Sequence, residues 1–105
     1  MIFTKMHCVG NDFLILNCFD DIVEIPEDLP IKVCDRHLGI GADGLVLILY
    51  SNDADFRIEF YNSDGIKTAC NTNVLRCSTK YALDNKIVEK KMISVDTDNG
   101  IKYVT

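Results

Sequence analysis

The sequence contains no tryptophan, only two prolines (Pro26 and Pro30) and only two histidines, His7 and His37, far apart in the chain. None of its cysteines stand in C-x-x-C spacing. The usual sequence signature of a zinc site is therefore missing, and no metal is expected. A basic cluster is also missing. Eleven lysines and arginines are scattered among 16 acidic residues, for a net charge of −5. That distribution excludes the electrostatic footprint of a nucleic-acid partner. No apolar run approaches the length of a membrane span, so no membrane partner is expected. Internal repeats and low-complexity tracts are absent. The cysteines number five, an odd count, and Lys5 and His7 sit in a short alternating run where a leader peptide would lie. The expectation is reduced thiols in a cytoplasmic protein.

What is present is enough for one modest core: 105 residues, 48% of them hydrophobic. A single domain spanning 1–105 is expected. Residues 1–7 alternate, with Ile2 and Phe3 both apolar, and read as a mostly buried strand. Cys8-Val9-Gly10-Asn11-Asp12 breaks it, and Phe13-Leu14-Ile15-Leu16 reads as a second strand. Together they predict a hairpin with Asn11 and Asp12 at its tip, where plain turn chemistry is the simpler reading of both residues. Residues 17–27 are acidic and loop-like. A helix is predicted from Asp28 and Pro30 to just before Gly39, its apolar face made of Ile31, Cys34 and Leu38. The Gly39-Ile40-Gly41-Ala42-Asp43-Gly44 loop lacks the Lys and Ser/Thr of a phosphate cradle and reads as a place of close backbone packing.

Leu45 to Tyr50 is a continuous apolar run, hence a buried strand. Asp55 to Tyr61 alternates, with Phe56, Ile58 and Phe60 on one side and Arg57 and Glu59 on the other. Val74 to Leu83 is predicted helical and ends at Asn85 and Lys86. Ile87 to Val95 and Ile101 to Val104 read as strands around an Asp98-Asn99-Gly100 turn. The total is an α+β domain of about six strands and two helices.

The densest chemistry lies between Asn62 and Cys77. A turn at Asp64-Gly65 leads to Cys70, Asn71, Thr72 and Asn73 at the entrance to a helix. Backbone N–H groups at a helix start lack intrahelical partners and attract anions. A cysteine there has a lowered pKa, and the same N–H groups can grip a carboxylate. A thiolate beside a carboxylate grip suits removal of a proton from the adjoining carbon. The carboxamides of Asn11, Asn62 and Asn73 offer donor and acceptor together, which suits a small zwitterionic substrate. Free cysteines are also common core residues, so for Cys70 packing stands beside catalysis as a reading; Cys77, Cys18 and Cys34 fit packing well.

Four blocks in order carry a resemblance. Phe3-Thr4-Lys5-Met6-His7 with Gly10-Asn11-Asp12-Phe13 resembles the opening of diaminopimelate epimerases. Asp35-Arg36-His37 with Gly39 to Gly44 resembles the second block, Asp55-Phe56-Arg57 through Gly65 the third, and Arg76-Cys77 closes the fourth. The resemblance implies a cofactor-independent amino-acid epimerase or racemase of the lysine and peptidoglycan-precursor pathway, using neither pyridoxal phosphate nor metal. In that family two cysteines face each other across the substrate's α-carbon, one from each of two pseudo-symmetric α+β domains. Each domain is a curved mixed sheet wrapped around a central helix. By position, Asn11, Asn62 and Asn73 match substrate-binding asparagines, and the helix from about Asn73 matches the central one. Cys70 is the candidate catalytic residue. The chain departs from the family's Cys-Gly-Asn-Gly-x-Arg-Cys block. Aligned on Arg76-Cys77, the family cysteine falls on Asn71, with Cys70 one residue early, and the glycines become Thr72 and Val74. Cys8 stands where the first block has glycine. One such domain implies an incomplete site. The expectation is a chain inactive alone, completed by a separate C-terminal half or by a homodimer. The alternative is a non-catalytic homologue that binds a small molecule or a protein.

Overall fold

The computed structural model describes residues 2–20 and 24–105. Met1 of the predicted first strand, and positions 21–23 of the predicted acidic loop, lie outside the described residues. The elements are β1 (Phe3–Cys8), β2 (Asn11–Cys18), α1 (Leu29–Cys34), β3 (Gly44–Leu49), β4 (Phe56–Asn62), β5 (Lys67–Thr68), α2 (Thr72–Asp84), β6 (Ile93–Thr97) and β7 (Gly100–Val104). They form an open mixed sheet of seven strands, ordered β1-β2-β3-β4-β6-β7, with β5 paired to β4. The β2/β3 and β4/β6 pairs are parallel and the others antiparallel.

The central strands are apolar on both faces because both faces are covered. Phe13, Ile15, Val46, Ile48, Phe56, Ile58 and Phe60 meet Val74, Cys77, Tyr81 and Ala82 of α2. Leu14, Leu16, Leu45 and Leu47 alternate with them and form a second cluster with Cys34 and Ala42. Helix α2 touches β1 at one end of the sheet and β7 at the other, so the sheet curves around it. Val74 is fully buried, and taking such a side chain out of water contributes roughly 2 kcal/mol.

Asn71 caps the start of α2, its Oδ1 accepting from the Val74 N–H at 2.9 Å. At the other end Lys86 adopts φ 58° and donates to the Leu83 carbonyl, while Ile87 donates to Ala82. This is a Schellman closure. It also explains why β6 begins at Ile93 and not at Ile87: the N–H groups of Ile87 and Val88 both point at Ala82 and cannot join a ladder.

Three further expectations are corrected. Strand β1 is an edge strand and is only partly buried, because pairing on one side leaves its outer face to solvent. Helix α1 stops at Cys34, short of Gly39. The Asp35 carboxylate accepts from His37 and Leu38 N–H groups at 2.7 and 2.9 Å, diverting donors that a longer helix would use. Leu38 is consequently 92% exposed and Ile31 half exposed, so Cys34 is the member of the predicted face that is buried. Finally, Val9 and Gly10 form the hairpin tip, both at positive φ, whereas Asn11 and Asp12 are the first ladder residues of β2. Strand β5 escaped sequence reading because two residues carry no period. No helix among the described residues is long and apolar enough to cross a membrane.

Val9 is a β-branched residue held at φ 48° in a two-residue turn. Such turns favour Asn followed by Gly, and left-handed backbone costs a branched side chain roughly 1–2 kcal/mol. Val9→Asn is therefore expected to raise unfolding stability by about 1 kcal/mol, measured by urea denaturation.

Candidate functional site

Strand register gathers the predicted residues. Phe13 pairs with Gly44, and Gly44 pairs with Asn62. Asn11, two residues before Phe13, and Asn62 thus lie at the same end of the sheet. The start of α2 lies toward that end too, since the helix follows β5, whose Lys67 and Thr68 pair with Tyr61 and Phe60 beside Asn62. Asn73 is the second residue of α2. Asn11, Asn62 and Asn73 are all half-buried. Among the described residues none of their carboxamides makes a side-chain hydrogen bond, which leaves three donor–acceptor groups available beside a helix start.

The fourth block is organised differently from the pattern its sequence resembles. Asn71, expected from the block comparison at the family-cysteine position, spends its side-chain oxygen on the helix cap. Thr72 is the first helical residue. Cys70, one residue earlier, is half-buried and packs against the core beneath α2. Burial, and then the Asp98 carboxylate, push its thiol up to about 11, against the weaker pull of Arg57 and Lys67. At neutral pH Cys70 is a thiol: it can donate a proton, and its thiolate fraction is small. The surrounding charges belong to the sheet's outer face. There Lys67 meets Asp98 at 3.1 Å and Glu59 at 3.5 Å, and Arg57 meets Asp96 at 3.3 Å as well as Asp98. A cleft of about 410 Å³ opens between the first turns of α2 and β7, lined by Thr72, Leu75, Arg76, Lys102, Tyr103 and Val104 among others; Asn73 is not in its lining. Among the described residues no group of His, Cys, Asp and Glu is placed to hold a metal ion.

Sequence reasoning missed one feature that shapes this end of the sheet. Asp12 is a long-range clasp. Arg36 donates to both its carboxylate oxygens, at 3.2 and 2.9 Å, and also to Asp43 at 3.1 Å. The Asp12 and Asp43 backbone N–H groups each donate to the other's carboxylate at 3.0 Å, and Lys5 lies 3.3 Å away. The available signal was the opposite charge of Arg36 and Asp12 in neighbouring blocks. The clasp fixes the start of β2, and with it Asn11, to the loop entering β3. That loop needs its glycines for close packing: a Cβ on Gly44 would collide with the Phe60 ring and come within 2.9 Å of the Tyr61 carbonyl.

The Arg36 hydrogen bonds hold Asp12 well below the ordinary carboxylate range; burial opposes this, and Lys5 adds to it. A pKa lower in the folded than in the unfolded chain stabilises above the unfolded value of about 4 and is lost as pH falls below it. Arg36 is half exposed, so the pair is partly screened. Asp12→Ala is expected to cost about 1–2 kcal/mol at pH 7. Denaturation curves of both proteins should converge as the pH is taken below about 3. Asn71→Ala, which removes the cap, is expected to cost about 1 kcal/mol and to lower the helical circular-dichroism signal before global unfolding.

The diaminopimelate epimerase family model matches residues 3–105. The chain is 49% identical over 104 residues to the diaminopimelate epimerase of Acetivibrio thermocellus and 48% identical over 105 residues to that of Agathobacter rectalis. The alignments cover 99% and 100% of this chain, and it spans 37% of the length of each relative. Among solved structures, a methylitaconate-delta-isomerase superposes with a TM-score of 0.76 at 16% identity, over 96% of this chain and 33% of that one. A probable proline racemase from Agrobacterium radiobacter superposes at 0.72 and 19% identity, over 94% and 35%. These structures share the fold, and the sequence matches decide the membership: the chain belongs to the diaminopimelate epimerase family.

Proposed function

We propose that this chain supplies one wall of a cofactor-independent amino-acid epimerase site, with diaminopimelate or a close analogue as substrate, in the cytoplasmic pathway to lysine and peptidoglycan precursors. The observation that carries the reading is the gathering of Asn11, Asn62 and Asn73, with unengaged carboxamides, at the end of the sheet where α2 begins. Carboxamides pair with both the ammonium and the carboxylate of an amino acid. The first N–H groups of α2 favour the carboxylate and the enolate-like charge that grows on it as the α-proton leaves.

Inversion at the α-carbon needs a base on one face to take a proton and an acid on the other to return one. One wall holds at most one of these groups, and here Cys70 is that candidate. The opposite group must come from a second half-domain or a second copy of the chain, and the reaction uses no bound cofactor. The chain alone binds without turning over.

A specific observation favours a second reading, a binding module without catalysis. The side chain expected at the family-cysteine position is engaged in capping, and the neighbouring thiol is held protonated. Substrate contact then survives and proton transfer does not.

Proton NMR in deuterated water separates the two. The chain alone is expected to be thermally stabilised by diaminopimelate with no loss of the α-proton signal. Mixed with the C-terminal portion of the Acetivibrio thermocellus relative, it is expected to exchange that proton. Stabilisation without exchange in the mixture establishes the binding module. Absence of both stabilisation and exchange sinks both readings.

A further inference from the structure

A pair of carboxylates meets where the parallel strands at the centre of the sheet begin. Asp12 and Asp43 stand just before Phe13 and Gly44, the first ladder pair of β2 and β3. Each carboxylate reaches across to the other residue's backbone N–H at 3.0 Å, and the Asp43 N–H also donates to the Asp12 carbonyl at 2.9 Å. This crossed arrangement brings like charges together on neighbouring strands, which is destabilising by itself. Arg36 offsets the repulsion from a single guanidinium. Its Nη2 donates to Asp12 at 2.9 Å and to Asp43 at 3.1 Å, while Nη1 donates to Asp12 at 3.2 Å. Lys5 reaches Asp12 at 3.3 Å, but among the described residues Arg36 alone forms ion pairs with both carboxylates. Its own loop seats it. Gly41, at φ 87°, passes so close that a Cβ there would stand 3.1 Å from the Arg36 Cα and 3.2 Å from its Cγ.

Both ends of this bridge adjoin a candidate recognition group. Asn11 precedes Asp12, and Asp43 precedes Gly44, which pairs with Asn62. We propose that Arg36 is a positioning residue of the candidate site: by holding Asp12 and Asp43 on one planar fork, it sets where the Asn11 and Asn62 carboxamides stand relative to each other, without touching the ligand. The inference rests on the reading of Asn11 and Asn62 as recognition groups. The chemistry calls for arginine and not for any cation. A guanidinium keeps its charge throughout the working pH range, and its N–H groups are fixed in one plane, so it sets the angle between the carboxylates as well as their separation. An ammonium in the same place neutralises the charge and leaves the geometry loose. Asn73 stands on α2, outside the bridge.

The test compares the whole chain with Arg36→Lys, which keeps the charge and loses the fork, and with Asp43→Asn, which keeps the fork on Asp12 and removes the charge pair at the start of β3. The first readout needs no ligand: the side-chain amide signals of the asparagines in proton–nitrogen correlation spectra. The Asn11 and Asn62 signals are expected to move in both variants, with those of Asn73 unchanged and circular dichroism showing the fold retained. Asp43→Asn carries both readouts where Arg36→Lys fails to fold. The second readout is calorimetric titration with meso-diaminopimelate. Arg36→Lys is expected to weaken binding about tenfold, and to cost far less in an Asn11→Ala background, because residues acting through one another are not additive. Unmoved Asn11 and Asn62 signals beside a lowered melting temperature would leave Arg36 a purely structural ion pair and overturn the proposal. Equal losses in the two backgrounds would put Arg36 on the ligand itself and overturn it too. Absence of binding by the unaltered chain would sink the epimerase-wall reading instead, and the amide signals would still decide whether Arg36 sets the placement of the two asparagines.

Discussion

Burial of one stripe of α2 against the inner face of the sheet is the constraint on which the rest depends. Val74, Cys77, Ser78, Tyr81 and Ala82 are all buried there. A thirteen-residue helix is marginal on its own in water and takes its stability from such packing. Because the sheet reaches α2 from β1 at one end and β7 at the other, the helix direction is fixed. Its first turn arrives where β2 begins and β4 ends. The buried Ser78 does not disturb this, since its hydroxyl donates to the Val74 carbonyl at 2.7 Å. The helix start is thus held by a core with no chemical role, leaving the residues just before and after it to differ without loss of fold.

That separation explains how family membership and an altered fourth block coexist. The side-chain oxygen at the cap position is bound to a backbone N–H. A cysteine there would be free of that duty and bathed in the helix's positive end. Asparagine instead caps the helix. Cys70 does not recover a thiolate by proximity, because burial and the Asp98 carboxylate both stabilise its thiol form.

The parts of this arrangement legible in the sequence are those governed by local period. The alternation of β4, the apolar run of β3, the Asp98-Asn99-Gly100 turn and the apolar stripe of α2 all read directly from residue order. The illegible parts are long-range. Nothing local tells Phe3 that its strand lies at an edge. The apolar spacing of Ile31, Cys34 and Leu38 cannot register that Asp35 will divert the backbone donors after it. Asp12 reads as a turn residue until Arg36 and Asp43 are brought to it from distant positions. For the site itself, the asparagines were found through block order, and their shared location depends on a strand register that no single stretch encodes.

Gly44 carries a consequence beyond close packing. It is the one β3 residue paired at once to Phe13 of β2 and to Asn62 of β4. Above it the Phe60 ring meets Phe13 edge-on, with centroids 5.6 Å apart and planes at 88°. The residue therefore works as a gauge block. Its lack of a side chain lets the Phe60 ring lie over the strand against Phe13, while the ladders on its two sides hold the strand leading from Asn11 two strand spacings from the one ending at Asn62. The span between Asn11 and Asn62 is thus bridged at a position that has no side chain with which to touch a ligand.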